Sequence, residues 1–428
     1  MGEREEKFIL WFDEIDSQDA PLVGSKNASL GEMIRKLAAR SILVPNGFAI
    51  TAAAYRYFMK TAGLEKSIRT ILSELRLTDM DDLMRRGRRV RDFILDAPLP
   101  SSLVAEIGKA YEDLEDLYGL SGTDVDVAVR SSAVAEGLAE EAVAGQQETF
   151  LNIRGKIGLI QAVKRCFASL FTNRAISYRY EKGLDQFDVA ISVGVQKMVR
   201  SDAACSGIVS SVDTDSGFQN LVYITAAYGL GETVVSGLVT PDEYQVFKPT
   251  LRAGKRAILS KKLGEHPIKM VYTADETRPV RTIATSEEER RRYVLKDAEI
   301  VQLADWACII EDHYHQSSGV YRPIILEWAK DGDGRVVGTG QLYILQARPD
   351  HTYAKRDFSV IETYRLRQQG KVLTTGQAVG FKVGRGQARL IESSEFIGQF
   401  KPGEILVTDM TDPDWEPIMR GAAAIVTN

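Results

Sequence analysis

The sequence predicts a mixed α/β fold, and three observations carry that reading. Short apolar runs of strand type alternate with longer helical patterns along 428 residues. Hydrophobic residues make up 44% and charged residues 26%, the balance of a folded globular chain. A chain of this length suggests two or three domains, with a core large enough to need no disulfides.

The elements follow in order. In 22–63, Leu30, Met33, Ile34 and Leu37 recur at helical spacing after a small-residue loop. Pro45, Asn46 and Gly47 mark a turn before a short apolar strand at 48–50, and Thr51 suits the N-cap of a helix through Tyr55 and Met59. Residues 64–120 read as helical and charged. A strand is expected at 125–129 with Val125, Val127 and Val129 on one face, then a helix at 156–182 and strands at 189–198 and 221–226. Segments 323–329 and 341–347 read as a β-hairpin around Asp331 and Gly332. A polar helical connector is expected at 351–385. A further unit then starts near Gly386, with strands at 387–391, 404–408 and 422–427. Those last residues are too few for an independent core.

Composition excludes several classes. A net charge of −5 gives no general attraction to nucleic acid or to an anionic membrane. The arginine run at 85–91 reads as a solvated helical face. No apolar run is long enough to span a membrane, and the start of the chain does not resemble a signal peptide. The three cysteines, Cys166, Cys205 and Cys308, form no C-x-x-C pair and read as buried thiols of a reducing, cytoplasmic setting.

Two nucleotide fingerprints are absent. There is no Walker-type loop, and Val234 stands where a dinucleotide loop after Gly229 and Gly231 would need glycine. Three other stretches could hold phosphate. Lys26 lies in a small-residue loop that opens a helix, where free N–H groups and the helix dipole favour an anion. Arg130 is expected at the end of a buried strand, where its planar fork could grip phosphate oxygens. Its bland alternative is pairing with a carboxylate. The loop beyond it, through Gly145 to Thr149, could cover a nucleotide or be plain surface. On the hairpin, Glu327 on one strand and Gln346 on the other suit Mg²⁺. Arg348 shares the face of Gln346 and could neutralise transferred charge.

These stretches occur within PLVGSKNASLGEM, VPNGFAIT, VAVRSSA, AGQQETFLN, AVKRCFASLFTNRAISYR, FDVAISVGVQKMVRSD, ITAAYGLGETVVSG, LEWAKDG, LYILQARP and VTDMTDPDWEPIMRGAAAIVTN. As a set they are identified as those of the phosphoenolpyruvate synthase (pyruvate, water dikinase) family. The resemblance implies an ATP-grasp-like nucleotide-binding domain over 1–350, with subdomains of about 1–240 and 241–350, and a linker at 351–385. It makes 386–428 the start of a swivelling phosphohistidine domain, cut before the histidine. It implies ATP as substrate, with Lys26 and Arg130 on phosphates and Gly145, Thr149 and Gln196 along the nucleotide. Glu327 and Gln346 would bind Mg²⁺ beside Arg348. The histidine acceptor and the pyruvate-binding barrel would then lie outside this sequence, for instance on a separate chain. None of the four histidines, His266, His313, His315 and His351, lies in the family's phosphocarrier motif.

The sequence departs from the family pattern at Ser25, where relatives carry Gly, and at Val134 and Gly137, where they carry Thr and Asp. Ile325 replaces an acid on the face of Glu327. That substitution suggests an alternative, a degenerate module that binds nucleotide without transferring phosphate. A further alternative is an antibiotic kinase, such as a rifampicin phosphotransferase, built on the same ATP module. The IKMVY and TDPDWEP segments look more like the pyruvate enzyme.

Overall fold

The computed structural model describes residues 2–428 apart from 77–78, 136–147, 215, 274, 276–277, 333–339, 351–363, 366, 369, 377, 379–381 and 412–414. Two antiparallel sheets form its centre. The first contains β1 (Ile9–Trp11), β2 (Gly47–Ile50), β3 (Val127–Ala135), β4 (Thr149–Ile153) and β5 (Val189–Lys197), in the order β1-β2-β5-β3-β4. The second draws on β6 (Cys205–Ser210), β7 (Leu221–Tyr228), β8 (Asp242–Phe247) and β9 (Ile258–Lys262). A two-stranded hairpin of β10 (Ile268–Tyr272) and β11 (Val280–Ala284) stands apart. Then β12 (Ile324–Lys330) and β13 (Leu342–Pro349) complete the second sheet in the order β13-β12-β6-β7-β8-β9. The mixed α/β expectation holds. The sheets change over between Lys197 and Cys205, well before residue 240.

Each sheet has its own core. Helices Ala52–Thr61, Leu64–Leu72, Met80–Asp96, Ser101–Leu117 and Gly155–Ser169 bury Phe58, Ile68, Val90, Leu114 and Phe167 against the first sheet. Helix Asp297–Ser318 buries Ile300, Leu303, Ala307 and Ile310 against the second. Helix Ala20–Leu37 belongs to both sides. Its Leu30, Met33 and Leu37 join the second core, yet it packs on β3 and β5 as well as on β13. Burying a leucine or methionine of this kind contributes roughly 1.5–3 kcal/mol, so this helix helps hold the sheets together.

Several expectations are met locally. Thr51 caps helix Ala52–Thr61 by accepting from the Ala54 N–H at 3.4 Å. The hairpin forms, with Glu327 opposite Gln346 and Ile325 opposite Arg348. A parallel third sheet joins β14 (Ala388–Leu390), β15 (Ile405–Val407) and β16 (Ala424–Val426), at the three places expected, around a small core of Ile391, Phe400, Leu406 and Trp415. Of the arginines at 85–91, all on helix Met80–Asp96, Arg85, Arg88 and Arg89 are exposed as expected, whereas Arg86 and Arg91 are part-buried, bonding Asp82 at 2.8 Å and the Phe171 carbonyl at 2.9 Å. The three cysteines are free and buried, and burial pushes the Cys205 thiol up to about 12 and Cys308 up to about 11. No described helix is long and apolar enough to cross a membrane.

Three expectations are corrected. The helix expected at 156–182 is two helices, Gly155–Ser169 and Asn173–Glu181, because Thr172 turns extended and caps the second by accepting from Ala175 N–H. The strand expected at 125–129 is instead Val127–Ala135, so Arg130 sits mid-strand rather than at its end. Pairing with β5 over its full length, from Val127↔Lys197 to Ala135↔Val189, outweighs the polar look of Ser131 and Ser132. Among the described residues of 364–385 there is no helix; 351–363 lie outside the described residues.

Candidate functional site

The strand register assembles one wall of the site. In an antiparallel pair, opposite residues share a face. Arg130 of β3 faces Thr149 of β4 on one side and Gly194 of β5 on the other, and Ala128 faces Gln196. Arg130, Thr149, Ala128 and Gln196 therefore point the same way. The missing side chain at Gly194 leaves room for Asn27, whose amide donates to the Val23 carbonyl at 3.0 Å and the Ser192 hydroxyl at 3.1 Å. This anchors the helix that carries Lys26.

That helix breaks at Gly24, where φ is +75°. A side chain there would sit 2.1 Å from the Ser132 hydroxyl, so glycine is required both for the conformation and for the approach to β3. The regular turn resumes at Ser25, placing Lys26 in the first turn of the segment that follows. One turn later, the Ser29 hydroxyl donates to the Ala347 carbonyl at 2.8 Å and meets the Tyr314 hydroxyl at 2.7 Å. Lys26 is thereby fixed relative to β13.

The second sheet supplies the facing wall. The β12–β13 register slips between Glu327 and Trp328, leaving Leu345 as an extra residue. Its carbonyl, released from the ladder, accepts from Arg130 Nη1 at 3.1 Å. The same nitrogen lies 3.9 Å from Glu327 Oε2, while Arg130 Nε is buried without a partner. Glu327 and the buried Gln346 are directly opposed on the two strands.

A cavity of about 120 Å³ lies between the sheets, and Arg130, Thr149, Gln196 and Glu327 all line it. Gln346, opposite Glu327, and the cations Lys26 and Arg348 are not part of its lining. Their proximity shows electrostatically. Burial first pulls the Lys26 ammonium down to about 8; Glu327 opposes that shift, and Arg130 and Arg348 reinforce it. Lys26 thus feels one carboxylate and two guanidinium groups. Gly145, expected along the nucleotide, lies outside the described residues.

The donor set decides what metal chemistry is open. Among the described residues no group of three His, Cys, Asp or Glu side chains could hold a metal ion. One carboxylate opposite one amide fits Mg²⁺ only where phosphate and water supply most of the oxygens. Ile325, two residues before Glu327, adds no ligand.

The cavity also includes residues that the motif reading passed over. Met198, Val199, Leu230 and Val235 make it largely apolar, and the exposed Glu232 also lines it. Gly231 and Glu232 belong to the stretch that failed the dinucleotide pattern. The segment lines the cavity, but through a different turn. Its signal was the small-residue run after β7, which spacing alone does not assign to a ligand.

Residues 20–368 match the family described as pyruvate phosphate dikinase, AMP/ATP-binding domain. The whole chain is 52% identical over 430 residues to a phosphoenolpyruvate synthase of Synechocystis sp., covering 52% of that protein. It is 46% identical to that of Aquifex aeolicus, covering 100% of this chain and 49% of the relative. With the Escherichia coli phosphoenolpyruvate synthase it shares 44% identity over 98% of this chain and 51% of the relative. The chain spans about half the length of the curated relatives it matches. The chain belongs to the pyruvate phosphate dikinase AMP/ATP-binding family.

Proposed function

We propose that this chain binds ATP with Mg²⁺ between its two sheets and acts as the nucleotide-binding part of a phosphoenolpyruvate synthase. The reaction proposed for the complete system is ATP + pyruvate + water to phosphoenolpyruvate, AMP and phosphate. One observation carries the reading: Lys26, Arg130 and Arg348 converge on the single carboxylate of Glu327, and the buried Arg130 Nε lacks a partner. Cations in excess around one carboxylate favour a polyanion, and a polyphosphate supplies one.

In this reading the flat base lies against Met198, Val199 and Leu230, with Gln196 and Thr149 along the nucleotide. Gly145 would lie above it. The phosphates extend past the cavity toward Lys26 and Arg348. Arg130 is pre-aimed, because the Leu345 carbonyl holds one of its nitrogens. Glu327 and Gln346 hold the Mg²⁺, which when bound offsets phosphate charge. A volume of about 120 Å³ is below the ~300–1,000 Å³ usual for ligand pockets, so binding has to part the sheets. The phosphate acceptor is a histidine outside the described site, in the remaining half of a longer protein or on a partner chain.

A second reading, nucleotide binding without transfer, rests on Ile325, which stands opposite Arg348 where an acid would complete the metal face. One experiment separates the two. Addition of MgATP is expected to raise the melting temperature, since a ligand at a hundred times its Kd stabilises by about 2.7 kcal/mol. Mixing the chain with a separate phosphohistidine domain is then expected to release AMP. A shift without AMP selects the second reading; no shift at millimolar ATP rejects both.

A further inference from the structure

The hairpin β10–β11 belongs to neither sheet, yet it touches three walls of the cavity. At its root, His266 Nε2 bonds the buried Asp242 carboxylate at 2.8 Å, and the Thr285 N–H donates to the Pro267 carbonyl at 3.2 Å. On the second sheet, the Leu230 N–H donates to the Met270 carbonyl at 3.1 Å, directly behind the Leu230–Gly231 wall. That approach depends on Gly229, with φ of +84°, where a side chain would meet the Met270 carbonyl at 2.5 Å. On the first sheet, the Asn152 amide donates to the Pro279 carbonyl at 2.9 Å, next to Leu151 of the lining. Beside the Met198–Ser201 wall, the Arg200 guanidinium lies 4.9 Å from the Tyr272 ring centre. The hairpin therefore straps the two sheets together where binding has to part them.

One joint in this strap is unmade. The Tyr272 hydroxyl is shut off from solvent and has no hydrogen-bond partner. Asp126 uses one oxygen to hold Lys197 Nζ at 2.8 Å, while its other oxygen is buried and unpaired. A buried donor and a buried acceptor are thus both left open, with the charge of Asp126 acting on the Tyr272 hydroxyl, although such groups are nearly always satisfied in folded proteins. Burial, and then the charges of Asp126 and Asp202, push the Tyr272 hydroxyl well above its ordinary range, so it remains a donor at neutral pH. Asp126 is also tied to the site, because the Lys197 it holds lines the cavity and the Met198 N–H donates to its carbonyl at 3.0 Å.

We propose that Tyr272 is a positioning residue for nucleotide binding, whose hydroxyl donates to the open oxygen of Asp126 when the strap resettles around a bound nucleotide. This rests on the ATP reading above. The bond forms only in the nucleotide-bound arrangement, so it couples the position of the hairpin to occupancy of the cavity. A group satisfied in one of two states biases the equilibrium toward that state, and couplings of this kind typically amount to 5- to 150-fold.

Tyr272→Phe keeps the ring against Arg200 and removes only the hydroxyl. Without ligand, the variant is expected to melt at the same temperature as the unaltered chain or above it, because an unsatisfied buried group has been deleted. Its MgATP affinity is expected to fall about tenfold. In the unaltered chain, MgATP should increase amide hydrogen-exchange protection at 268–272 and 280–284; in Tyr272→Phe that gain should be lost. A lower melting temperature of the ligand-free variant would make Tyr272 a purely structural residue and overturn the proposal. So would unchanged ATP affinity and protection beside normal ATP binding by the unaltered chain. Absence of ATP binding by the unaltered chain would overturn the proposal together with the reading on which it rests.

Discussion

Two charge clusters in this chain are built in opposite ways. Lys248 and Glu311 are both almost inaccessible, with Nζ 2.6 Å from Oε2. The other oxygen of Glu311 accepts from the Ser211 hydroxyl at 2.7 Å and the Tyr321 hydroxyl at 3.0 Å. Charge is balanced there, so the pair ties helix Asp297–Ser318 to the rim of the second sheet. Between the sheets, Lys26 feels Glu327, Arg130 and Arg348, Arg130 comes no nearer than 3.9 Å to Glu327, and Arg130 Nε is unpaired. The first cluster is closed and serves the fold. The second is open, and its imbalance is the feature that a ligand would correct.

The largest expected effect lies in the closed cluster. Glu311→Gln strands the Lys248 ammonium without a counter-charge, and breaking a buried pair this way costs about 3–5 kcal/mol. Denaturant unfolding is expected to show that loss, while the stabilisation added by MgATP stays the same. A loss below about 1 kcal/mol would mean that the two clusters do not differ in kind.

The open cluster is expected to respond with the opposite sign. Lys26→Met removes a desolvated cation from a cationic neighbourhood, so the ligand-free chain should be as stable as before or more so. MgATP binding should weaken roughly 10- to 100-fold, the range for a charged hydrogen bond of about 1.5–3 kcal/mol. The pH dependence checks the same residue. The folded value of about 8 lies below the ordinary 10.5, so between them the unfolded chain holds the proton more tightly. This group's contribution to stability therefore rises with pH across that window. Binding of a polyphosphate requires the charged form. Affinity should accordingly fall above pH 8 by up to about tenfold per unit. Lys26→Met should remove that dependence in a calorimetric titration.

The smallest effect is expected at Ile325. Ile325→Glu places a second carboxylate beside Glu327 and opposite Arg348. Titration of Mg²⁺ at fixed ATP should show a few-fold to roughly tenfold gain in metal affinity, in line with the weight of groups that orient metal ligands. Weaker binding would mean that this face does not meet the metal.

Much of the architecture was legible along the chain because its signals are local. Thr51 caps its helix with its own side chain, and the three strands near 388, 405 and 424 are short apolar runs between turn residues. Helix Asp297–Ser318 went unread, although Ile300, Leu303, Ala304 and Ala307 recur at helical spacing. Strand β8 was not legible. It carries Asp242, which looks like a surface residue, yet in the fold Asp242 accepts from Tyr244, His266, Gly264 and Val294. All of these but Tyr244 come from distant positions, and only their convergence makes a buried acid tolerable.

The sequence by itself determined the residue types at the candidate site: a lysine opening a helix, an arginine in a strand of small residues, and an acid, an amide and an arginine on paired strands. Local chemistry and period-two alternation are sufficient for that. Only the tertiary structure decided how they meet. Pairing with β5 carried β3 past Arg130 and put that residue mid-strand, facing Thr149. A one-residue slip between β12 and β13 freed the Leu345 carbonyl to hold the Arg130 side chain. Gly24 brought Lys26 close to both sheets. Register, bulges and helix docking depend on partners far away in the chain, so their outcome is set by packing rather than by any local pattern.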